Sequence, residues 1–194
     1  QKALNTSAAT DNLFIPYNDP HIQYEGRVGM KEAAELYWPG TTLRINFTGS
    51  TVKALLKDEK GQNYYNVIID GDSIHRLKLD TTKQLYTLAE NLPPGKHTIE
   101  LFKITQYHKE YGRGFTKFYG FQIDNNAKIF SPPPLKRRKI EFYGNSVTCG
   151  HAIEDNTGGD SGASKYENNY LTYAAITARH FNAQYSCIAK SGIG

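Results

Sequence analysis

Apolar side chains recur at every second position through the first two thirds of the chain. Leu43, Ile45 and Phe47 alternate with polar partners, as do Tyr65, Val67 and Ile69. Leu77 with Leu79, Ile99 with Leu101, and the segment Phe115–Ile123 continue the pattern. A period of two belongs to a strand with one buried face. Pro39-Gly40, Gly49-Ser50, Asp70-Gly71 and Pro93-Pro94-Gly95 interrupt these runs with turn-forming residues. Short strands broken this often predict an antiparallel β-sandwich, a jelly roll, assigned to residues 1–130.

After residue 130 the pattern changes. Ser131-Pro132-Pro133-Pro134 is a stiff extended connector, and with the basic residues beyond it forms a linker over 131–138. Lys139 to Tyr143 predicts a short strand ending at Gly144, and a polar, Gly-rich loop covers 151–164. Tyr166, Tyr170, Tyr173, Ala174, Thr177 and Phe181 fall at three- and four-residue spacings, which predicts a helix over 165–181. Gln184 to Ala189 reads as a second strand. Strand, helix, strand is the opening of a βαβ unit with a parallel sheet. Two parallel strands with an open edge cannot bury a core of their own. Residues 139–194 are therefore read as the start of a truncated α/β domain.

Charge is informative once it is located. The chain of 194 residues carries 23 Lys+Arg against 19 Asp+Glu, a formal +4. Lys136, Arg137, Arg138 and Lys139 account for all of that excess, so the basicity belongs to the linker region. Nucleic-acid binders spread cations along a face or interleave them with aromatics, which argues against such a partner. No apolar run approaches the ~18 residues of a membrane span. The chain opens at Gln1 with no signal-like apolar stretch, as a mature secreted product or a trimmed chain would. Cys149 and Cys187 lack any metal-ligand spacing and read as free, buried thiols.

Chemistry concentrates where the strand IEFYG runs into Gly144-Asn145-Ser146-Val147-Thr148-Cys149-Gly150. A small residue before a serine at the carboxyl end of a parallel strand permits a tight turn that presents the hydroxyl at the sheet's ligand-binding edge. A helix beginning there aims backbone N–H groups and its dipole at the same spot. That suits a nucleophile whose product is an oxyanion. The second strand ends at the same edge, where the Gly192 N–H would be a second donor. Two blander readings of the spacing stay open: Ser146 as a helix cap, or the N–H groups as a phosphate site.

The same residues resemble a known family. The string from Gly144 to Gly150 is similar to block I of the SGNH/GDSL hydrolases, and Ser191-Gly192 is similar to their block II. Upstream, Leu92-Pro93-Pro94-Gly95-Lys96-His97-Thr98, Leu101-Phe102-Lys103-Ile104-Thr105 and Phe118-Tyr119-Gly120-Phe121 resemble the jelly-roll domain of carbohydrate esterase family 2, the acetylxylan esterase-like enzymes. The resemblance implies a jelly roll followed by a flavodoxin-like SGNH hydrolase domain. It implies a secreted or periplasmic carbohydrate O-deacetylase acting on acetylated polysaccharide or oligosaccharide such as xylan or mannan. Ser146 would be the nucleophile, with the Ser146 and Gly192 N–H groups as oxyanion donors and Gly194 a lesser candidate. No cofactor and no metal is implied. Where the family usually has Asp before the serine, this chain has Asn145, a turn position. The block III Asn and block V His would lie beyond Gly194, on the same polypeptide or a companion fragment, so residues 1–194 alone are expected to be inactive. The competing reading is a non-catalytic carbohydrate-binding sandwich with a vestigial hydrolase remnant.

Other candidates fall away. Gly71-Asp72-Ser73-Ile74-His75 spells a literal GDSI, but Asp70-Gly71 between two strand patterns makes Ser73 a hairpin residue. His151 reads as a solvated loop histidine near the site, His180 as a cation at a helix end. His21, His97 and His108 carry no metal-ligand spacing. The tyrosines read as packing, and Trp38 as a core or interface anchor.

Overall fold

A computed structural model describes residues 12–193, so the first eleven positions of the predicted sandwich and Gly194 lie outside the described residues. Within that range the predicted alternation becomes twelve antiparallel strands in two six-stranded sheets. They are β1 (Leu13–Pro16), β2 (Gln23–Glu25), β3 (Val28–Met30), β4 (Ala34–Leu36), β5 (Thr42–Thr48), β6 (Val52–Asp58), β7 (Tyr64–Ile69), β8 (Ser73–Lys78), β9 (Gln84–Ala89), β10 (Lys96–Lys103), β11 (Thr116–Ile123) and β12 (Ile129–Phe130). One sheet runs β3-β4-β11-β6-β9, with β1 beside β11; the other runs β12-β5-β10-β7-β8, with β2 beside β5.

Two short strands share one edge in each sheet. In the first, β4 pairs with Thr116–Phe118 and β1 with Gly120–Ile123, on either side of a bulge between Phe118 and Gly120. Gly120 is required there: at φ 152° its ideal Cβ would lie 2.3 Å from the Ile15 carbonyl oxygen. The β7–β8 hairpin loop is Asp70, Gly71 and Asp72 between the paired Ile69 and Ser73; Asp70 (φ 54°) and Gly71 (φ 78°) are both left-handed, which matches the turn to the strand twist. Ser73 and His75 lie exposed on β8.

The sandwich core is the set the alternation names: Leu43, Ile45, Phe47, Tyr65, Val67, Ile99, Leu101, Phe118 and Phe121 among others. On β7 and β10 the opposite face is buried as well. Ile68 and Phe102, with Ile104 just past β10, join a second apolar cluster with Cys149, Ala174, Ala175, Ala178, Tyr185, Cys187 and Ala189. The second sheet therefore separates two cores.

The remaining residues form that other side. β13 (Arg138–Gly144) pairs in parallel with β14 (Ala183–Ala189), Gly144 opposite Ala189. Between them lie α1 (Ser146–Cys149) and α2 (Tyr173–His180). The helix expected over 165–181 is shorter than the tyrosine spacing suggested. Residues 164–166 and 169–171 are separate 3-10 turns, because Asn168 and Thr172 turn their side chains onto the chain: Asn168 accepts from the Tyr170 N–H at 3.1 Å and Thr172 from the Ala175 N–H at 3.3 Å. Only Tyr173 of the three tyrosines is in α2.

Two of the four cations, Lys136 and Arg138, are junction residues. Lys136 Nζ donates to the Ala183 carbonyl at 3.1 Å and Arg138 to the Phe181 carbonyl at 3.0 Å. Further across the junction, the Tyr185 N–H donates to Glu25 at 2.6 Å, and Arg27 holds Glu141 with two bonds of 2.9 and 3.1 Å. Gly40 abuts the Tyr185 ring, which a Cβ would meet at 2.3 Å.

Candidate active site

β13 delivers the chain to Gly144, where three residues shape the turn into α1. At Gly144 an ideal Cβ would lie 2.0 Å from Thr148 Oγ1, so only glycine lets α1 fold back onto the strand end. Asn145 caps the turn: its Oδ1 accepts from the Val147 N–H at 3.3 Å and its carbonyl from the Cys149 N–H at 3.0 Å. Gly150 closes α1 in the left-handed region at φ 81°, its N–H donating to the Ser146 carbonyl at 3.1 Å. Ser146 thus heads a single helical turn, half-buried. α1 is too short to supply the extended dipole expected from sequence; what it offers is its first N–H groups.

Below the turn the packing is tight. Asn169 Nδ2 donates to the Thr148 carbonyl at 2.9 Å while its Oδ1 accepts from Tyr185 Oη at 3.0 Å, so one buried amide ties α1 to β14. Cys149 and Cys187 are free thiols packed beside it, and burial pushes both up from the ordinary thiol range. They are packing residues.

The end of β14 reaches the same sheet edge. The Lys190 N–H donates to the Gly144 carbonyl at 3.2 Å, joining the two strand ends. Next in the chain come Ser191, buried, and Gly192, exposed at φ 77°. Nothing lies within 4 Å of where a Gly192 Cβ would stand, so glycine serves the backbone angle there and not space. Among the described residues no acceptor takes the Gly192 N–H.

Ser191 is held by the sandwich. Its N–H donates to Gln106 Oε1 at 2.8 Å, and its carbonyl lies 3.1 Å from His108 Nε2. Gln106 is braced in turn: its side-chain amide donates to Glu167 Oε1 at 2.6 Å and its backbone N–H to Oε2 at 3.2 Å. Fully buried Glu167 also takes Arg113 at 3.1 Å and His151 Nδ1 at 3.3 Å. Nearby, Lys103 Nζ donates to Asn63 Oδ1 at 2.8 Å and the Thr105 carbonyl at 2.7 Å, and burial brings its amine down to about 7.

This network corrects and extends the sequence reading. His151 is not a solvated loop residue: its own N–H reaches the Ser146 carbonyl at 3.0 Å and its ring is tied to Glu167. Gln106, His108, Arg113 and Glu167 escape sequence reasoning as site residues, because nothing in their local sequence marks contacts to residues dozens of positions away. None of the six histidines hydrogen-bonds the Ser146 hydroxyl among the described residues. No group of three or more His, Cys, Asp or Glu side chains among them is arranged to hold a metal ion.

Comparison with known proteins places the chain in a family. The model of the carbohydrate esterase 2 N-terminal domain matches residues 24–133, more than half of the chain. The cellulase/esterase CelE of Acetivibrio thermocellus is 34% identical over 188 residues, 96% of this chain and 22% of that protein. An acetylxylan esterase/glucomannan deacetylase of Cellvibrio japonicus is 32% identical over 183 residues, 93% of this chain and 49% of its own. The chain thus spans about half or less of the length of these relatives. Among solved structures, a family two carbohydrate esterase from Cellvibrio japonicus superposes with a TM-score of 0.85 at 27% identity, over 95% of this chain and 54% of that one. Another, from Clostridium thermocellum in complex with cellohexaose, gives 0.82 at 34% identity, over 89% and 52%. With its antiparallel sandwich matched by the family's N-terminal model and its whole architecture matched by solved members, the chain belongs to carbohydrate esterase family 2.

Proposed function

We propose that this chain is the jelly-roll domain and the opening of the SGNH hydrolase domain of a secreted or periplasmic carbohydrate O-deacetylase. Its substrates would be acetylated polysaccharides such as xylan or mannan. The domains divide at the linker, residues 131–138. The observation that carries the reading is the pair of strand ends joined by Lys190 and Gly144, one leading to the serine turn and the other to a glycine N–H without an acceptor among the described residues. Ser146 Oγ attacks the acetyl carbonyl carbon while its proton passes to a base. The carbonyl oxygen becomes an oxyanion between the Ser146 and Gly192 N–H groups. Collapse expels the sugar oxygen, which takes up the proton. Water then cleaves the acetyl-enzyme through a second intermediate held by the same donors. The base is a histidine outside residues 1–194, so this stretch alone is inactive.

In the full-length protein, Ser146→Ala abolishes aryl-acetate hydrolysis while leaving the melting temperature within a degree or two. Retained hydrolysis overturns the assignment. An inert wild-type protein that still pulls down on insoluble polysaccharide would instead identify a binding module.

A further inference from the structure

We infer that Gln106 and His108 of the sandwich are positioning residues that aim the Gly192 N–H at the reacting carbonyl. The inference rests on the reading of Ser146 as nucleophile and Gly192 as oxyanion donor.

The Ser191 carbonyl and the Gly192 N–H belong to one peptide unit. That unit is planar and trans, so its C=O and N–H point in opposite directions. Fixing the carbonyl therefore fixes where the N–H points. The carbonyl is fixed by His108: a carbonyl only accepts, so Nε2 carries the proton of the 3.1 Å bond. The preceding peptide is fixed by Gln106, which accepts the Ser191 N–H at 2.8 Å. Lys190 is already tied to Gly144. The Lys190 N–H, the Ser191 N–H and the Ser191 carbonyl are thus all held, and Gly192 N–H is the next donor along the chain.

The clamp is rigid. Gln106 and His108 are 0% and 3% exposed, and Ser191 is 4% exposed. Both amide functions of Gln106 are engaged, since Glu167 orients the group that does not touch Ser191. The His108 ring stacks on Tyr111, centroids 3.9 Å apart. Nothing beyond its chain neighbours lies within 4 Å of where a Gly192 Cβ would stand, and its residue type leaves its backbone free. The restraint that makes this N–H a preorganised donor comes from the sandwich. Donation by His108 also polarises the shared peptide, which strengthens Gly192 as a donor. The sandwich then contributes to catalysis without touching substrate.

The test uses the full-length enzyme, with active sites titrated by the acyl burst so that every rate is per folded site. His108→Leu and Gln106→Met keep volume and remove the bonds to Ser191. Each is expected to lower kcat on the order of tenfold or more at nearly unchanged KM, since a misdirected oxyanion donor is felt in the transition state. Affinity for a boronic acid that mimics the tetrahedral oxyanion should fall by the same factor. His108→Gln, whose side-chain amide restores a donor near Nε2, should recover most of the loss. Full kcat per titrated site in both His108→Leu and Gln106→Met overturns the inference, as does a loss that His108→Gln leaves unrepaired. If His108→Leu does not fold, Gln106→Met and His108→Gln carry the same comparison. Failure of the underlying reading is distinguishable, because an active Ser146→Ala enzyme removes the nucleophile assignment whatever these variants do.

Discussion

Gly144 and Gly192 stand at the two strand ends of the site for opposite reasons. At Gly144 the backbone is ordinary and space is absent: a methyl group would strike Thr148 Oγ1 and, at 2.7 Å, the Thr148 Cβ. The Cβ cannot rotate away, so α1 itself has to move. Gly144→Ala should cost about 1–3 kcal/mol of stability and, by displacing Ser146, at least tenfold in kcat. At Gly192 space is open and the backbone angle is left-handed. Gly192→Ala should cost about 1 kcal/mol through strain alone, so urea midpoints place the two variants in that order. A second residue gives a pH dependence. His97 is buried with an acceptor on each ring nitrogen, Asp70 Oδ2 at 2.8 Å and the Pro93 carbonyl at 2.7 Å. Satisfying both needs both N–H groups, so Asp70 and then Pro93 raise the imidazole above its usual value. A raised folded-state pKa contributes stability that is complete below the unfolded value of about 6.5 and is lost as pH rises through the folded value. Lys103, brought down to about 7 by burial, contributes an opposite slope common to wild type and variant. The denaturation midpoint of the wild type should therefore exceed that of His97→Gln most below pH about 6.5, and the gap should narrow as pH rises through the folded value.

Among elements, the strands are the most legible in the sequence and the helices the least. Alternation in β5 and β10 names their sandwich-core residues because each strand sends every second side chain into that core, whereas in β11 the bulge after Phe118 moves the inward set on to Phe121 and Ile123. The serine turn is legible too, since Gly144, Asn145 and Ser146 are contiguous and each acts locally. A helix beginning at 165 mistakes side-chain spacing for backbone continuity. Tyr166 and Tyr170 fall at helical intervals, but Asn168 caps a new start between them and Thr172 another beyond Tyr170. Thr172→Ala should lower stability by about 1 kcal/mol, with Thr172→Ser close to wild type in the same denaturant titration. The clamp on Ser191 is invisible in the sequence because its bonds join residues 83 and 85 positions apart, side chain to backbone. No local pattern encodes such a pairing.

At the scale of the molecule the sandwich and the α/β unit share one wall. Phe102 projects from β10 away from the sandwich core, its ring meeting Tyr170 edge-on at 5.1 Å and Tyr185 in a parallel stack at 6.3 Å. Together with Ile68 and Ile104 it completes the second core, which the α/β residues alone leave open on that side. The two units should therefore unfold together. Near-ultraviolet and far-ultraviolet signals are expected to melt in one coincident transition, and Phe102→Ala should lower its stability by about 3–5 kcal/mol. Two resolved transitions would show independent units.

The shared wall also has a genetic consequence. Along β10, Ile99 and Leu101 serve one core while Phe102 serves the other, so neighbouring codons answer to different selective demands. Sequence drift in the sandwich and drift in the α/β unit meet in this strand. Deleting one residue within it would exchange the two sets of side chains between faces and spoil both cores at once. The strand that gives the two units their common support is also where either is least free to evolve without the other.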